Sequence, residues 1–219
     1  GFQKEQFLQA ADNFLANYNH TEQAAQVLFM LGNYFVEQNR LEDLVREFTA
    51  LADRFRGRPA EDGIHYWRAM ANLFQGKLDE SLRDFNIVVE RFPDSVYAQD
   101  AAYRRTIVFY AKDEIDKART EMEKFIDEHS TSALRGEVEF FLGEIAASEG
   151  SPIAAIQHYQ RVPKYTDNPG YITASYLQAA KLLERNALRD GVKLDEREKL
   201  LDRAASLLQE YIDDHGDAG

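Results

Sequence analysis

Residues 78–93 read LDESLRDFNIVVERFP, and the apolar members Leu78, Leu82, Phe85, Val88, Val89 and Phe92 recur at three- and four-residue steps. That spacing lines one face of an α-helix, and no period-two alternation competes with it. Gly76 ahead of the stretch and Pro93 at its end are residues that stop helices, so they punctuate it on both sides.

The stretch is one copy of a pattern that returns every 37 residues. From Gly32 the step reaches Ala69, Thr106, Gly143 and Ala180, all small; from Phe29 it reaches Tyr66, Tyr103, Phe140 and Leu177, all large. Three further columns hold the register: Leu41, Leu78, Ile115, Pro152; Phe48, Phe85, Met122, Tyr159; and Leu51, Val88, Phe125, Val162. A fixed period of this size marks a repeat architecture. Helices are expected near 3–18, 22–38, 41–56, 61–75, 78–92, 96–111, 114–129, 133–149, 152–163, 170–188 and 195–214. The fold class is therefore all-α, a right-handed solenoid of antiparallel helix pairs with about 11 helices.

Within residues 1–219, read as a single solenoid, 1–20 form an orphan helix of a preceding repeat. Repeats follow at 21–58, 59–95, 96–132, 133–169 and 170–219. The fifth keeps its columns only with about 12 inserted residues near 186–199, after which Leu201, Ala204, Leu208, Tyr211 and Ile212 resume the second-helix pattern. Arg189-Asp190-Gly191 supplies a turn there. Between helices, Asn39 is expected to cap a helix from Arg40, with Glu42 closing a capping box. Gly76 and Gly150 end helices, Ser151-Pro152 is an N-cap with proline at the first helical position, and Pro93-Asp94-Ser95 separates two more.

The composition, 44% hydrophobic over 219 residues, suffices for a substantial core. With 26 Lys and Arg against 38 Asp and Glu, the net charge of −12 repels phosphate backbones, so nucleic acid is not an expected partner. No apolar run is long enough to span a bilayer, and no charged-then-apolar leader opens the chain. Gly1 in place of Met resembles a protease scar and leaves room for a signal peptide or lipid anchor removed before it; upstream repeats are expected from the orphan helix. The absence of cysteine removes disulfides, thiolate-bound zinc and a thiol nucleophile.

Phe140-Phe141-Leu142-Gly143, then Gly150, Ala154-Ala155-Ile156 and Tyr159, resemble the tetratricopeptide (TPR) signature. Arg91-Phe92-Pro93-Asp94-Ser95, followed by Tyr97 and Ala101-Ala102-Tyr103, is similar to the variant in bacterial cell-envelope proteins such as outer-membrane assembly lipoproteins and the Tol–Pal coordinator. The chain departs from the family in its 37-residue period, against about 34. It also lacks the early tryptophan, whose column holds Leu28, His65, Ala102 and Glu139.

The resemblance implies a non-catalytic scaffold whose first helices line a concave groove for a peptide or protein, in the periplasm or cell envelope, with the cytoplasm as the alternative. Carried onto this sequence, the groove comprises Phe29, Asn33, Tyr66, Met70, Tyr103, Ile107, Tyr110, Phe140 and Glu144. Packing in the seams between repeats competes for the same aromatic column. Aromatics at these positions speak against a clamp for a C-terminal carboxylate. Arg54, Arg56, Arg58 and Arg104-Arg105 are read as helix-end and flanking charge before any acidic-peptide site.

An enzyme finds little support. His20, His65, His129, His158 and His215 share no metal-ligand spacing, and no phosphate loop or nucleophile elbow occurs. Neither a cofactor nor a metal is expected; Asp213-Asp214 is the one carboxylate pair weighed for a divalent cation, and solvated acid is the simpler reading. Two alternatives to a binding module stand: a structural subunit that stacks through its solenoid ends, and, more remotely, a metal-dependent enzyme.

Overall fold

A computed structural model describes residues 2–215; the outermost ends of the expected first and last repeats, Gly1 and 216–219, lie outside the described residues. Among these, eleven α-helices and no strand are found: α1 (Phe2–Tyr18), α2 (Gln23–Glu37), α3 (Leu41–Ala52), α4 (Glu61–Phe74), α5 (Leu78–Arg91), α6 (Ala98–Ala111), α7 (Ile115–Glu128), α8 (Arg135–Ser148), α9 (Pro152–Tyr159), α10 (Pro169–Ala187) and α11 (Leu194–His215). The all-α fold of paired helices is as the periodicity requires.

The chain forms two compact units, residues 1–118 and 119–219, divided within α7. In the first, α1 packs on α2, α2 on α3 and α4, α3 on α4, α4 on α5, and α5 on α6. In the second, α8 packs on α9, both pack on α10, and α10 on α11. Within each unit, neighbouring hairpins therefore cover one another's flanks, which is how a repeat array builds a core no single hairpin has.

The columns acquire physical meaning at this level. Phe48, Phe85, Met122 and Tyr159 are all buried, and so are Leu51, Val88, Phe125 and Val162. Full burial of one such side chain is worth about 1.5–3 kcal/mol. The small column is buried too, because aromatic rings lie against it. A Cβ on Gly32 would sit 2.3 Å from the Trp67 ring, and one on Gly143 would sit 2.6 Å from Tyr159.

The turns inside the hairpins follow one rule. Asn39, Gly76, Asp113 and Gly150, each one period from the next, all have positive φ, between 53° and 73°. Each N–H bonds the carbonyl three residues back, and the following N–H reaches five back, as in Lys77 to Asn72 O at 2.8 Å. This double closure satisfies the last carbonyls of a helix. It corrects the capping box at Asn39, which ends α2 in left-handed geometry, while α3 begins at Leu41 without a side-chain cap. Asparagine and aspartate tolerate that geometry better than other non-glycine residues.

Where the fifth repeat is expected to carry extra residues, the helices are long: α10 has 19 residues and α11 has 22, against 14 each for α4 and α5. The turn has Gly191 at φ 82°, and Arg197 Nε donates to the Ala187 carbonyl at 3.0 Å, closing the end of α10. At its start, Asn168 Oδ1 accepts from the Gly170 N–H at 3.0 Å ahead of Pro169. Helix α9 ends at Tyr159, short of 163, because Val162-Pro163-Lys164 tightens into a 3₁₀ turn around a residue with no N–H to give.

Candidate functional site

First helices carry the candidate residues, and in the first unit they are arrayed on α2, α4 and α6. Phe29 is 49% exposed and meets the edge of the Trp67 ring at 5.8 Å between centroids. Trp67 itself is buried against Gly32, so a rigid aromatic floor supports Phe29 from below. Met30, next to Phe29, and Phe74, at the end of α4, are each half-exposed. Sequence columns did not single out these two; their signal is an apolar residue outside the five repeating columns. Asn33, one turn after Phe29 on α2, is half-buried.

Tyr66 is half-buried. Its hydroxyl donates to Asp100 Oδ2 at 2.7 Å, and its ring stacks on Tyr97 at 4.6 Å and meets Phe85 edge-on. Burial first, then the Asp100 charge, raises the Tyr66 phenol above its ordinary value. Arg104 Nε in turn donates to Asp100 at 3.2 Å. Tyr103 is 2% exposed and Met70 is buried, so these two belong to the seam between helices and offer no surface. Ile107 and Tyr110 are half-buried.

In the second unit, Phe140 is half-buried among Phe141, Tyr159 and Tyr171, at 5.3–5.7 Å between centroids. Glu144 Oε1 accepts from the Tyr159 hydroxyl at 2.5 Å and from Gln178 Nε2 at 3.4 Å, so that oxygen is engaged internally. Tyr176 donates to Glu210 at 3.2 Å, and burial followed by that carboxylate pushes its phenol up to about 12. Of the nine candidates, Phe29 alone carries a largely open apolar surface; the others divide between half-buried walls and buried seams.

Of the arginines weighed as an acidic-peptide site, Arg58 is exposed and Arg104 bonds Asp100. Arg54 lies 3.8 Å from Asp12, Arg56 lies 2.8 Å from Asp53, and Arg105 is buried.

A second kind of cluster, not anticipated from the sequence, lies inside two hairpins. Asp84 on α5 accepts two hydrogen bonds from Arg68, Nε and Nη2 both at 2.7 Å, and a third from His65 Nδ1 at 2.8 Å. A carboxylate offers only acceptors, so the proton of that third bond sits on Nδ1. Burial alone would raise the Asp84 carboxyl, but the Arg68 and His65 hydrogen bonds outweigh it and hold it below the usual range. Glu61, also buried, accepts from Gly57 N–H at 2.6 Å and from Arg91 at 3.0 Å. In the second unit Glu139 bonds His158 Nδ1 at 2.8 Å, with Arg135 and Arg161 at 3.5 and 3.6 Å. There too burial is outweighed, first by His158, and the carboxyl is held low.

Among the described residues no group of three or more His, Cys, Asp or Glu is arranged to hold a metal, and no helix is long and apolar enough to cross a membrane.

The model of one protein family, YfiO, described as outer membrane lipoprotein, matches residues 3–107 and again 60–186. Three solved structures share the fold at low identity. BtubC from P. vanneervenii aligns with TM-score 0.68 and 13% identity over 94% of this chain and 88% of its own. The TPR-like repeats of a Podosopora anserina chain of kinesin-light-chain type align at 0.62 and 13%, over 87% and 98%. MamA from Desulfovibrio magneticus RS-1 aligns at 0.58 and 13%, over 84% and 93%. No curated protein matches the sequence.

Proposed function

The chain belongs to the YfiO family of outer membrane lipoproteins, and we propose that it is a non-catalytic scaffold of the bacterial cell envelope that holds a peptide or protein segment on its first helices. The TPR-like repeat fold is typical of interaction scaffolds, and extended repeat surfaces serve that purpose. The observation that carries the finer reading is the exposure of neighbouring Phe29 and Met30 on α2, with Phe29 resting against the buried Trp67. Large apolar side chains left open on a rigid aromatic floor are what anchor residues of a partner need. Tyr66 with Asp100 on one side, and Phe74 further along α4, extend the surface with a polar rim and a second apolar contact.

The test is to select peptides against the 219-residue chain from a displayed random library and to measure each by calorimetry. Phe29→Ser combined with Met30→Ser should weaken the selected peptides at least tenfold, while Arg83→Ala on the exposed side of α5 leaves them unchanged. Affinities indifferent to both changes would remove the first-helix surface from consideration. The envelope assignment has its own check: the native protein should fractionate with the envelope, and recovery in the cytosol would overturn it.

A further inference from the structure

A second helix in this fold has two apolar flanks. Helix α5 uses one on its own partner α4 and the other on the following first helix, α6. The second flank is Leu78, Leu82, Phe85 and Val89, which share a core with Ala101 and Val108 of α6. At its border Asp79 accepts from Lys112 Nζ, just past the end of α6, at 2.6 Å.

Helix α11 repeats this design. In the register of the columns, Leu201, Ala205, Leu208 and Ile212 stand where Leu78, Leu82, Phe85 and Val89 stand in α5, and Asp202 stands where Asp79 does. The face of α11 that meets α10 is buried through Ala204 and Leu207, with Tyr211 against Tyr176. Most of the second flank is open among the described residues: Leu201 is 39% and Ile212 54% exposed and Ala205 is exposed between them, while Leu208 is half-buried against the core shared with α10. Glu198, Asp202 and Asp213 run along its border, all exposed.

We propose that the free flank of α11 docks an amphipathic helix of a partner protein. That helix presents small apolar residues to Leu201, Ala205, Leu208 and Ile212, and a lysine or arginine near its C-terminal end to Asp202. Helix α6 on α5 is the internal precedent for both halves of this recognition. Helix-in-groove docking reads such anchors at three- and four-residue steps, and the complementary charge sets orientation. A second copy of the chain docking through its own α11 is disfavoured, since two borders of Glu198, Asp202 and Asp213 would meet with like charge. The proposal does not rest on the first-helix surface above, because it uses different residues and a different helix.

The probe is a fluorescein-labelled synthetic peptide with the sequence of residues 97–114, which carries Ala101, Val108 and Lys112. Saturable binding to the chain is expected by fluorescence anisotropy. Leu201→Glu with Ile212→Glu should weaken it at least tenfold with helicity unchanged. A peptide with Lys112→Glu should bind several-fold more weakly and recover on chain carrying Asp202→Lys. Binding indifferent to the α11 changes would overturn the proposal. So would self-association in sedimentation that Leu201→Glu abolishes, because the occupant would then be a second copy.

Discussion

His65 on α4 and Asp84 on α5 meet across their hairpin at 2.8 Å, and two 37-residue periods later the same positions hold Glu139 and His158, also at 2.8 Å, with acid and imidazole exchanged between the helices. The pairing recurs with its direction reversed, while the repeat between them holds Ala102 and Glu121 at the same positions, so the acid–imidazole pair belongs to two of the hairpins and not to every repeat. His65 and Glu139 stand in the column where the TPR resemblance would place a tryptophan. A buried charge-assisted hydrogen bond therefore joins the two helices where an aromatic wedge would otherwise do so. Each carboxylate is also met by arginine, Arg68 for Asp84 and Arg135 with Arg161 for Glu139, which is what a buried charge requires.

Acid should weaken both clusters. The folded carboxyls lie below their ordinary values, so they contribute stability that is complete above the unfolded values of about 3.9 and 4.3 and is lost as pH falls through the folded ones. The thermal midpoint is expected to hold from neutrality to about pH 5 and then to fall. Asp84→Asn should cost about 2–4 kcal/mol near neutral pH, since it strands Arg68, and should flatten the acid limb. Melts of both proteins between pH 7 and 2 check this; parallel acid limbs would mean that Asp84 does not carry the effect.

The repeated turn geometry gives a prediction with opposite signs at different positions. Gly76 has φ 70° and open space around its Cβ position, so Gly76→Ala costs backbone strain alone, about 1–2 kcal/mol. Ala60, ahead of α4, already carries that strain at φ 76°. Ala60→Gly should therefore stabilise only slightly, by less than about 1 kcal/mol, once the added chain entropy and the loss of a buried methyl are set against the relieved strain. Thermal melts of the two variants should move in opposite directions.

Local features were legible in the sequence, and features set by a neighbouring helix were not. Helical periodicity and the turn residues located all eleven helices to within a few residues, and the Phe85 column was buried as its register required. The large column gave no means of separating Phe29 from Tyr103, because each is covered or left open by side chains far along the chain. Gly76 and Gly150 announced positive φ by their type; Asn39 and Asp113 did so only through their one-period spacing from those glycines. The histidines share no metal spacing, yet two of them pair with acids 19 residues away, a separation set by hairpin geometry.

Gly32 and Trp67 test the small column directly. A methyl at Gly32 would meet the indole carbons at 2.3–2.7 Å, so one ring or one helix must shift. Gly32→Ala should destabilise by about 1–3 kcal/mol, as overpacking does. Trp67 is the sole tryptophan, so its emission reports this site alone. The variant should emit further to the red as the ring is pushed toward solvent; an unchanged spectrum and midpoint would mean that the ring does not lie on Gly32.

The last prediction separates wall, seam and surface among the aromatic candidates. Tyr103→Ala should cost about 3–5 kcal/mol, because a buried ring is removed from a packed site. Tyr66→Phe keeps the stack on Tyr97 and removes only the donor to Asp100, which retains Arg104, so about 1 kcal/mol is expected. Phe29→Ala removes a half-exposed ring and should cost less than about 1 kcal/mol of stability, while taking about 1–2 kcal/mol from binding of a peptide that uses this face. Denaturant melts and calorimetric titration of the three variants yield a pattern in which stability and affinity losses fall on different residues. If Phe29→Ala destabilised the fold as much as Tyr103→Ala and left affinity unchanged, Phe29 would be a seam residue and the binding surface would have to be sought elsewhere.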